Sequence, residues 1–229
     1  MKGIWRIYPS TLITEIIIKS DFDFQIFDCE HGTYDYTSLS EDIRICKLLN
    51  KKSFVRVGLV DQIQVQRCLD MGADGIVFPQ LKTVQEFKEA VQTVNIHPKG
   101  NRGFNPFVYD YDFGFKKRAE KKECIVIIET LEAVSNLDEI LSIKGIDRIY
   151  IGVYDLSTKL GCSGNLEDLK VKKTLDEIIL KSQNKKKPIS LMVKNEKDFN
   201  YYKSKGVVDF VFGVDSYHLF NAFKNILPK

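Results

Sequence analysis

Histidine is scarce in this sequence, three among 229 residues, so each one can be weighed on its own neighbours. Paired cysteines are lacking as well. The five present, Cys29, Cys46, Cys68, Cys124 and Cys162, are odd in number, form no CxxC pair and mostly sit among apolar neighbours. That pattern argues against a disulfide framework and suits a reducing cytoplasm. No run approaches the ~20 apolar residues of a membrane span, and "MKGIWRIYPS" lacks the apolar core of a signal peptide. The expectation is a cytoplasmic protein with no membrane partner. Charge of one sign is not in excess either: 34 Lys and Arg face 31 Asp and Glu, for a net +3, which implies no nucleic-acid partner. The basic runs "KKRAEKK" (116–122) and "NKKK" (184–187) carry no interleaved aromatics and read as solvated loops or helix ends.

What the chain does have is a repeated alternation of apolar runs and amphipathic stretches, with no long linker. Strand candidates are 3–7, 24–30, 53–58, 75–80, 124–130, 148–155, 188–193 and 209–215. Helix candidates between them include 10–20, 38–50, 83–95 and 131–144, and 217–227 follows the last strand. Thr83 with Glu86, and Ser38 with Glu41, have capping-box spacing. Strand-helix units in that number predict a single domain, a closed (β/α)8 TIM barrel over 1–229, with a doubly wound sheet as the alternative. In a barrel, chemistry gathers where strands end and strand-to-helix loops begin.

The strand ends are polar in a selective way. Asp28, Glu30 and His31 close the second strand, Arg56 lies in the third, Glu129 ends the fifth and Asp155 the sixth. Adjacent strands lie ~4.8 Å apart, so the carboxylates of Glu129 and Asp155 can reach one cation; completed by water and substrate oxygens, they suit magnesium or manganese better than zinc. Spacing alone serves equally well for two helix caps or two ion-pair partners. Asp28, three residues before His31, is placed to hydrogen-bond one ring nitrogen and leave the other free to handle a proton. Arg56, within an apolar strand, needs an anion: a carboxylate substrate, a developing enolate, or equally a buried partner such as Glu30 or Asp28. The turn-rich loop 97–107 offers Arg102 to the mouth or to a neighbouring subunit, although a structural turn explains it better. His97 and His218 have no polar constellation beside them. Cys29 points away from Asp28 and Glu30 on a strand of period two and is a packing residue before a nucleophile.

Taken together, "FDFQIFDCEHG" (22–32), "VRVG" (55–58), "CLDMGADGIVFPQ" (68–80), "HPKGNRG" (97–103), "IIETLEAVSNLDEIL" (128–142), "GIDRIYIGVYDLSTKLG" (145–161) and "DFVFGVDSYHL" (209–219) resemble the HpcH/HpaI aldolase family, in family order and across nearly the whole chain. The resemblance implies a barrel of the phosphoenolpyruvate/pyruvate-domain type. It implies a class II aldolase that splits a 4-hydroxy-2-oxo acid into pyruvate, or a related 2-oxo acid, and an aldehyde. It places a divalent metal, magnesium or manganese, on Glu129 and Asp155, and the proton-handling pair on His31 and Asp28. Pyruvate and its enolate fall to Arg56, and the pyruvate carboxylate to the backbone of Gly152, Val153 and Tyr154 beside Asp155. A homo-oligomer, a hexamer or trimer of dimers with the last helix exchanged between neighbours, is implied too. The chain departs from the family pattern at Ile127, where many relatives carry glutamine, and at Val153 and Tyr154, where proline and a small residue are usual. Citrate-synthase-like condensation, acyl-CoA cleavage and a non-catalytic barrel are the alternatives.

Overall fold

The computed structural model describes residues 1–117 and 120–228; Arg118 and Ala119 of the basic run 116–122 lie outside the described residues. The chain alternates β1 (Lys2–Arg6), α1 (Thr11–Lys19), β2 (Phe24–Asp28), α2 (Tyr36–Leu48), β3 (Lys52–Arg56), α3 (Gln62–Asp70), β4 (Gly75–Phe78) and α4 (Val84–Val94). It continues with β5 (Glu123–Ile128), α5 (Leu131–Ser135), α6 (Leu137–Ser142), β6 (Arg148–Ile151), α7 (Val153–Lys159), α8 (Leu169–Asn184), β7 (Ile189–Met192), α9 (Glu196–Ser204), β8 (Asp209–Val214) and α10 (Asp215–Ile226). The strands close into a parallel barrel in sequence order, β8 pairing with β1. This is the (β/α)8 barrel that the alternation predicts, and a doubly wound sheet is excluded by the closure.

The strands are apolar on both sides because both sides are covered. On β5, Ile125 and Ile127 point into the barrel with Trp5, Phe24, Ile26, Phe54, Val77, Tyr150 and Val211. Cys124, Val126 and Ile128 alternate outward into the larger core beneath the helices. The same period of two turns Asp28, Arg56 and Glu129 inward as their strands run out.

Several boundaries differ from the sequence reading. The run 148–155 is strand only to Ile151, and Gly152 turns the chain into α7, so Val153, Tyr154 and Asp155 belong to a helix. The segment 131–144 is two helices broken at Asn136. Thr83 and Glu86 do form a capping box, with Thr83 Oγ1 accepting from the Glu86 N–H at 3.3 Å. Ser38 is not the cap of α2: the box is Asp35 with Ser38, because the helix begins earlier, and Asp35 accepts the Ser38 N–H at 2.8 Å. No helix among the described residues is long and apolar enough to cross a membrane.

Candidate active site

A cavity of about 220 Å³ opens at the carboxyl ends of the strands. Trp5, Tyr150, Ile127, Met192 and Val214 give it apolar walls, and Asp28, His31, Arg56, Glu129, Tyr154 and Asp155 supply its polar groups. It is smaller than the ~300 Å³ lower bound of drug-sized sites and suits a molecule of a few carbons.

Barrel register fixes one side. Asp28 and Arg56 are direct partners across β2 and β3, and their side chains meet as a two-pronged ion pair. Arg56 Nε donates to Asp28 Oδ1 at 2.9 Å, and Nη2 donates to Oδ2. Asp28 Oδ1 also accepts the backbone N–H groups of Glu30 at 3.0 Å and His31 at 3.1 Å. The Asp28 carboxylate therefore aims Arg56 and shapes the following loop, and it does not hold the His31 ring as the spacing predicts. That ring is 69% exposed, and its acid neighbour is Glu30, with Nε2 4.0 Å from Oε2. Glu30 Oε2 also lies 3.0 Å from Arg56 Nη1, yet the pair lacks hydrogen-bond alignment and the oxygen is buried without a donor. Burial raises the Glu30 carboxyl above its ordinary value, against the pull of Arg56. The Arg56 guanidinium lies over the Trp5 ring at 4.6 Å, and Trp5 Nε1 donates to the Tyr150 hydroxyl at 2.9 Å, which braces the stack.

Glu129 occupies the other side. It is 2% exposed. One oxygen, Oε1, accepts the Gln80 backbone N–H at 2.7 Å. Gln80 sits at φ 57°, a left-handed conformation uncommon for a side-chain-bearing residue, which turns that N–H to the carboxylate. The second oxygen borders Gly152, where an added Cβ would stand 2.5 Å from Oε2. Burial pushes the Glu129 carboxyl up to about 7; the charges of Asp155 and Glu30 add to the rise, and the Gln80 N–H and Arg56 oppose it. Asp155 lies in the first turn of α7 and faces the same cavity.

These features suit a divalent cation. A buried carboxylate oxygen is left free by a missing Cβ, a second carboxylate repels it, and oxygen donors are what a hard ion prefers. Among the described residues no group of three or more His, Cys, Asp or Glu side chains forms a ready-made cage. The pair of acids would thus need water or substrate oxygens to complete the coordination.

Other sequence candidates fall elsewhere. Arg102 is not at the mouth: it is 4% exposed in the segment between α4 and β5, with Nη2 3.5 Å from Asp110 Oδ2 and 3.9 Å from Asp70 Oδ1. His97 is exposed in that same segment. His218 in α10 lies with Nε2 2.6 Å from the Phe212 carbonyl. The Cys29 thiol, pushed up to about 12 by burial, is a poor nucleophile. The Gln80 N–H, the Trp5–Tyr150 brace and the bare face of Gly152 were not anticipated. Inward periodicity carries a signal for Trp5, but nothing in the sequence announces a backbone donor.

Residues 3–222 match the family model described as HpcH/HpaI aldolase/citrate lyase. The 4-hydroxy-2-oxo-heptane-1,7-dioate aldolase of Escherichia coli is 26% identical over 233 residues, spanning 99% of this chain and 89% of that protein. The hydroxypyruvate/pyruvate aldolase of Rhizorhabdus wittichii is 33% identical over 160 residues, 69% of this chain and 64% of that protein. Among solved structures, the citrate synthase SbnG superposes with a TM-score of 0.88 at 27% identity, over 98% of this chain and 90% of that one.

Proposed function

The chain belongs to the HpcH/HpaI aldolase/citrate lyase family of carbon–carbon lyases, and from that premise we propose that it is a divalent-metal-dependent aldolase acting on a 4-hydroxy-2-oxo acid. The observation that carries this reading is the pairing, in one small cavity, of a cation cradle at Glu129 and Asp155 with an anion clamp at Arg56. Magnesium or manganese bound by those two carboxylates would supply Lewis-acid polarisation of the substrate ketone.

The protein's own groups account for the rest. Arg56, locked by Asp28, is preorganised to receive the charge that builds on the 2-oxo acid oxygens during cleavage. The start of α7 has no side-chain cap and borders the same cavity; the Gly152 N–H is taken by the Ile128 carbonyl at 3.2 Å, which leaves those of Val153 and Tyr154 for the substrate carboxylate. Cleavage breaks the C3–C4 bond: His31 takes the proton of the C4 hydroxyl, the electron pair of the broken bond stays on C3 as an enolate, and C4 leaves as an aldehyde. His31 is the group placed to return a proton to C3, giving pyruvate, and in the condensing direction to remove it. Trp5, Tyr150, Ile127 and Met192 keep water from the enolate.

A homo-oligomer belongs to the same reading. In α10 only Asp215 is buried, and Tyr217, Phe220, Phe223 and Ile226 are exposed. An apolar cavity of about 930 Å³ lies beside it, walled by Val193, Phe199, Phe212 and Tyr217. The last helix of a second copy fits that berth, and sizing columns should show an assembly that Phe220→Asp with Phe223→Asp disperses.

The test is incubation of the purified protein with pyruvate and a panel of aldehydes, with magnesium, with manganese and with a chelator, and identification of products by mass. Aldol products that need the metal support the proposal. Products formed only with a second oxo acid would favour condensation of the kind named for SbnG, and silence under every condition would defeat the proposal.

A further inference from the structure

A polar network outside the barrel wall takes no part in the chemistry above. Arg6 points outward from β1 into the layer beneath the helices and is 0% exposed. A guanidinium has five N–H donors, and the contacts account for all of them. Nε donates to Asp215 Oδ2 at 2.9 Å. Nη1 donates to the Thr14 hydroxyl and to Gln25 Oε1, the latter at 2.7 Å. Nη2 donates to the carbonyls of Tyr8 at 3.0 Å and Ser10 at 3.3 Å. Asp215, the first residue of α10, is itself buried and also accepts the backbone N–H groups of Ile7 at 3.1 Å and Tyr8 at 3.4 Å.

From there two routes reach the loop that carries His31. Ile7 lines the cavity, and its carbonyl accepts the Thr33 N–H at 3.0 Å. A Cβ on the intervening Gly32 would stand 2.8 Å from that same carbonyl, so the loop lies directly against it. In the second route the Tyr34 hydroxyl lies 3.1 Å from the Tyr8 carbonyl and 3.0 Å from Asp42 Oδ2, which share its one proton; the other Asp42 oxygen accepts from Thr14 at 2.8 Å. His31 thus hangs between two anchors: the Asp28 carboxylate on its own N–H, and the Ile7 and Tyr8 carbonyls just beyond it.

A buried ion pair is weak evidence for stability, since apolar side chains of similar volume often serve as well, and its better-attested use is to fix one arrangement over others. This pair joins the helix with the exposed apolar face to the loop with the imidazole. We infer that Arg6 and Asp215 form a positioning pair through which the seating of the last helix sets the placement of His31. From the proposed function this takes only that His31 moves the proton.

The double variant Arg6→Met with Asp215→Asn removes both charges and avoids stranding either. Two readouts apply: amide hydrogen exchange followed by mass spectrometry over 29–35, and kcat and KM for deuterium exchange at the pyruvate methyl. In a variant with unchanged far-ultraviolet dichroism, the expected result is faster amide exchange confined to 29–35, by at least about 10-fold, with kcat lowered by a similar factor and KM within about 2-fold. A merely structural pair would lower the melting temperature and leave the kcat of the folded fraction alone; unchanged exchange over 29–35 in a folded variant would overturn the inference. Should the double variant not fold, Asp215→Asn alone is read by the same measures. If the unaltered protein does not act on pyruvate, the proposed function fails, and the amide exchange still decides for or against the pair.

Discussion

Replacing Glu129 by glutamine should make the chelator-treated protein more stable at alkaline pH and, with metal restored, leave it inactive at every pH. The carboxyl is buried and faces the charges of Asp155 and Glu30, which lifts it from 4.5 to about 7. Its neutral form is therefore favoured in the fold: stability from this group is complete below 4.5 and is lost as pH rises through 7. At pH 8 the whole penalty applies, about 3 kcal/mol, since each tenfold change in proton affinity is worth ~1.4 kcal/mol. Glutamine keeps the shape, carries no charge and still accepts the Gln80 N–H, whose stronger hold on the ionised carboxylate is already contained in the value of about 7. The gain of about 3 kcal/mol corresponds to a melting temperature higher by roughly 6–12 °C for a chain of this size. At pH 5 the native carboxyl is still protonated and only the unfolded one is largely ionised, so the penalty is about 1 kcal/mol and the rise in melting temperature should shrink to roughly 2–4 °C. Thermal unfolding by circular dichroism at pH 5 and pH 8 checks this. An equal increment at both values, or a lower melting temperature at pH 8, would refute the picture of a buried, repelled carboxylate.

Further outcomes follow from single contacts. Gly152→Ala places a methyl 2.5 Å from Glu129 Oε2, so manganese affinity by calorimetry should fall at least about 10-fold with the barrel intact; unchanged affinity would remove Glu129 from the cradle. Asp28→Asn leaves an oxygen for one prong of Arg56 and sets an NH2 against the other, and KM for the 2-oxo acid should rise at least about 10-fold, or ~1.4 kcal/mol; an unaltered KM would separate Arg56 from substrate. Thr83→Ala deletes the cap of α4 and should lower stability by about 1 kcal/mol while leaving turnover alone.

The barrel was legible because its strands are covered on both sides and read as separate apolar runs, from "FQIF" on β2 to "CIVII" on β5. The polar strand ends could be read for the same reason: Asp28, Arg56 and Glu129 break those runs. Partner choice could not be read. Asp28 is three residues from His31 in the chain, but barrel closure sets it directly across from Arg56, and a guanidinium with two aligned donors takes its oxygens ahead of a neighbouring imidazole. The end of β6 was hidden because Val153 and Tyr154 extend an apolar run, while the turn into α7 depends on the backbone at Gly152. The Gln80 N–H was hidden more deeply, since a backbone donor at positive φ leaves no mark on side-chain pattern. The structural-turn reading of the loop at Arg102 holds, with the guanidinium buried against Asp110 rather than offered to the mouth.

The most direct test of the account follows the pyruvate methyl group in deuterium oxide by proton NMR, which needs no knowledge of the aldehyde. With magnesium or manganese, the protein should wash the methyl protons into solvent; chelator, Glu129→Gln and His31→Ala should each stop it. Metal-independent exchange, or exchange that survives Glu129→Gln, would contradict a site in which two carboxylates hold the ion and an imidazole moves the proton.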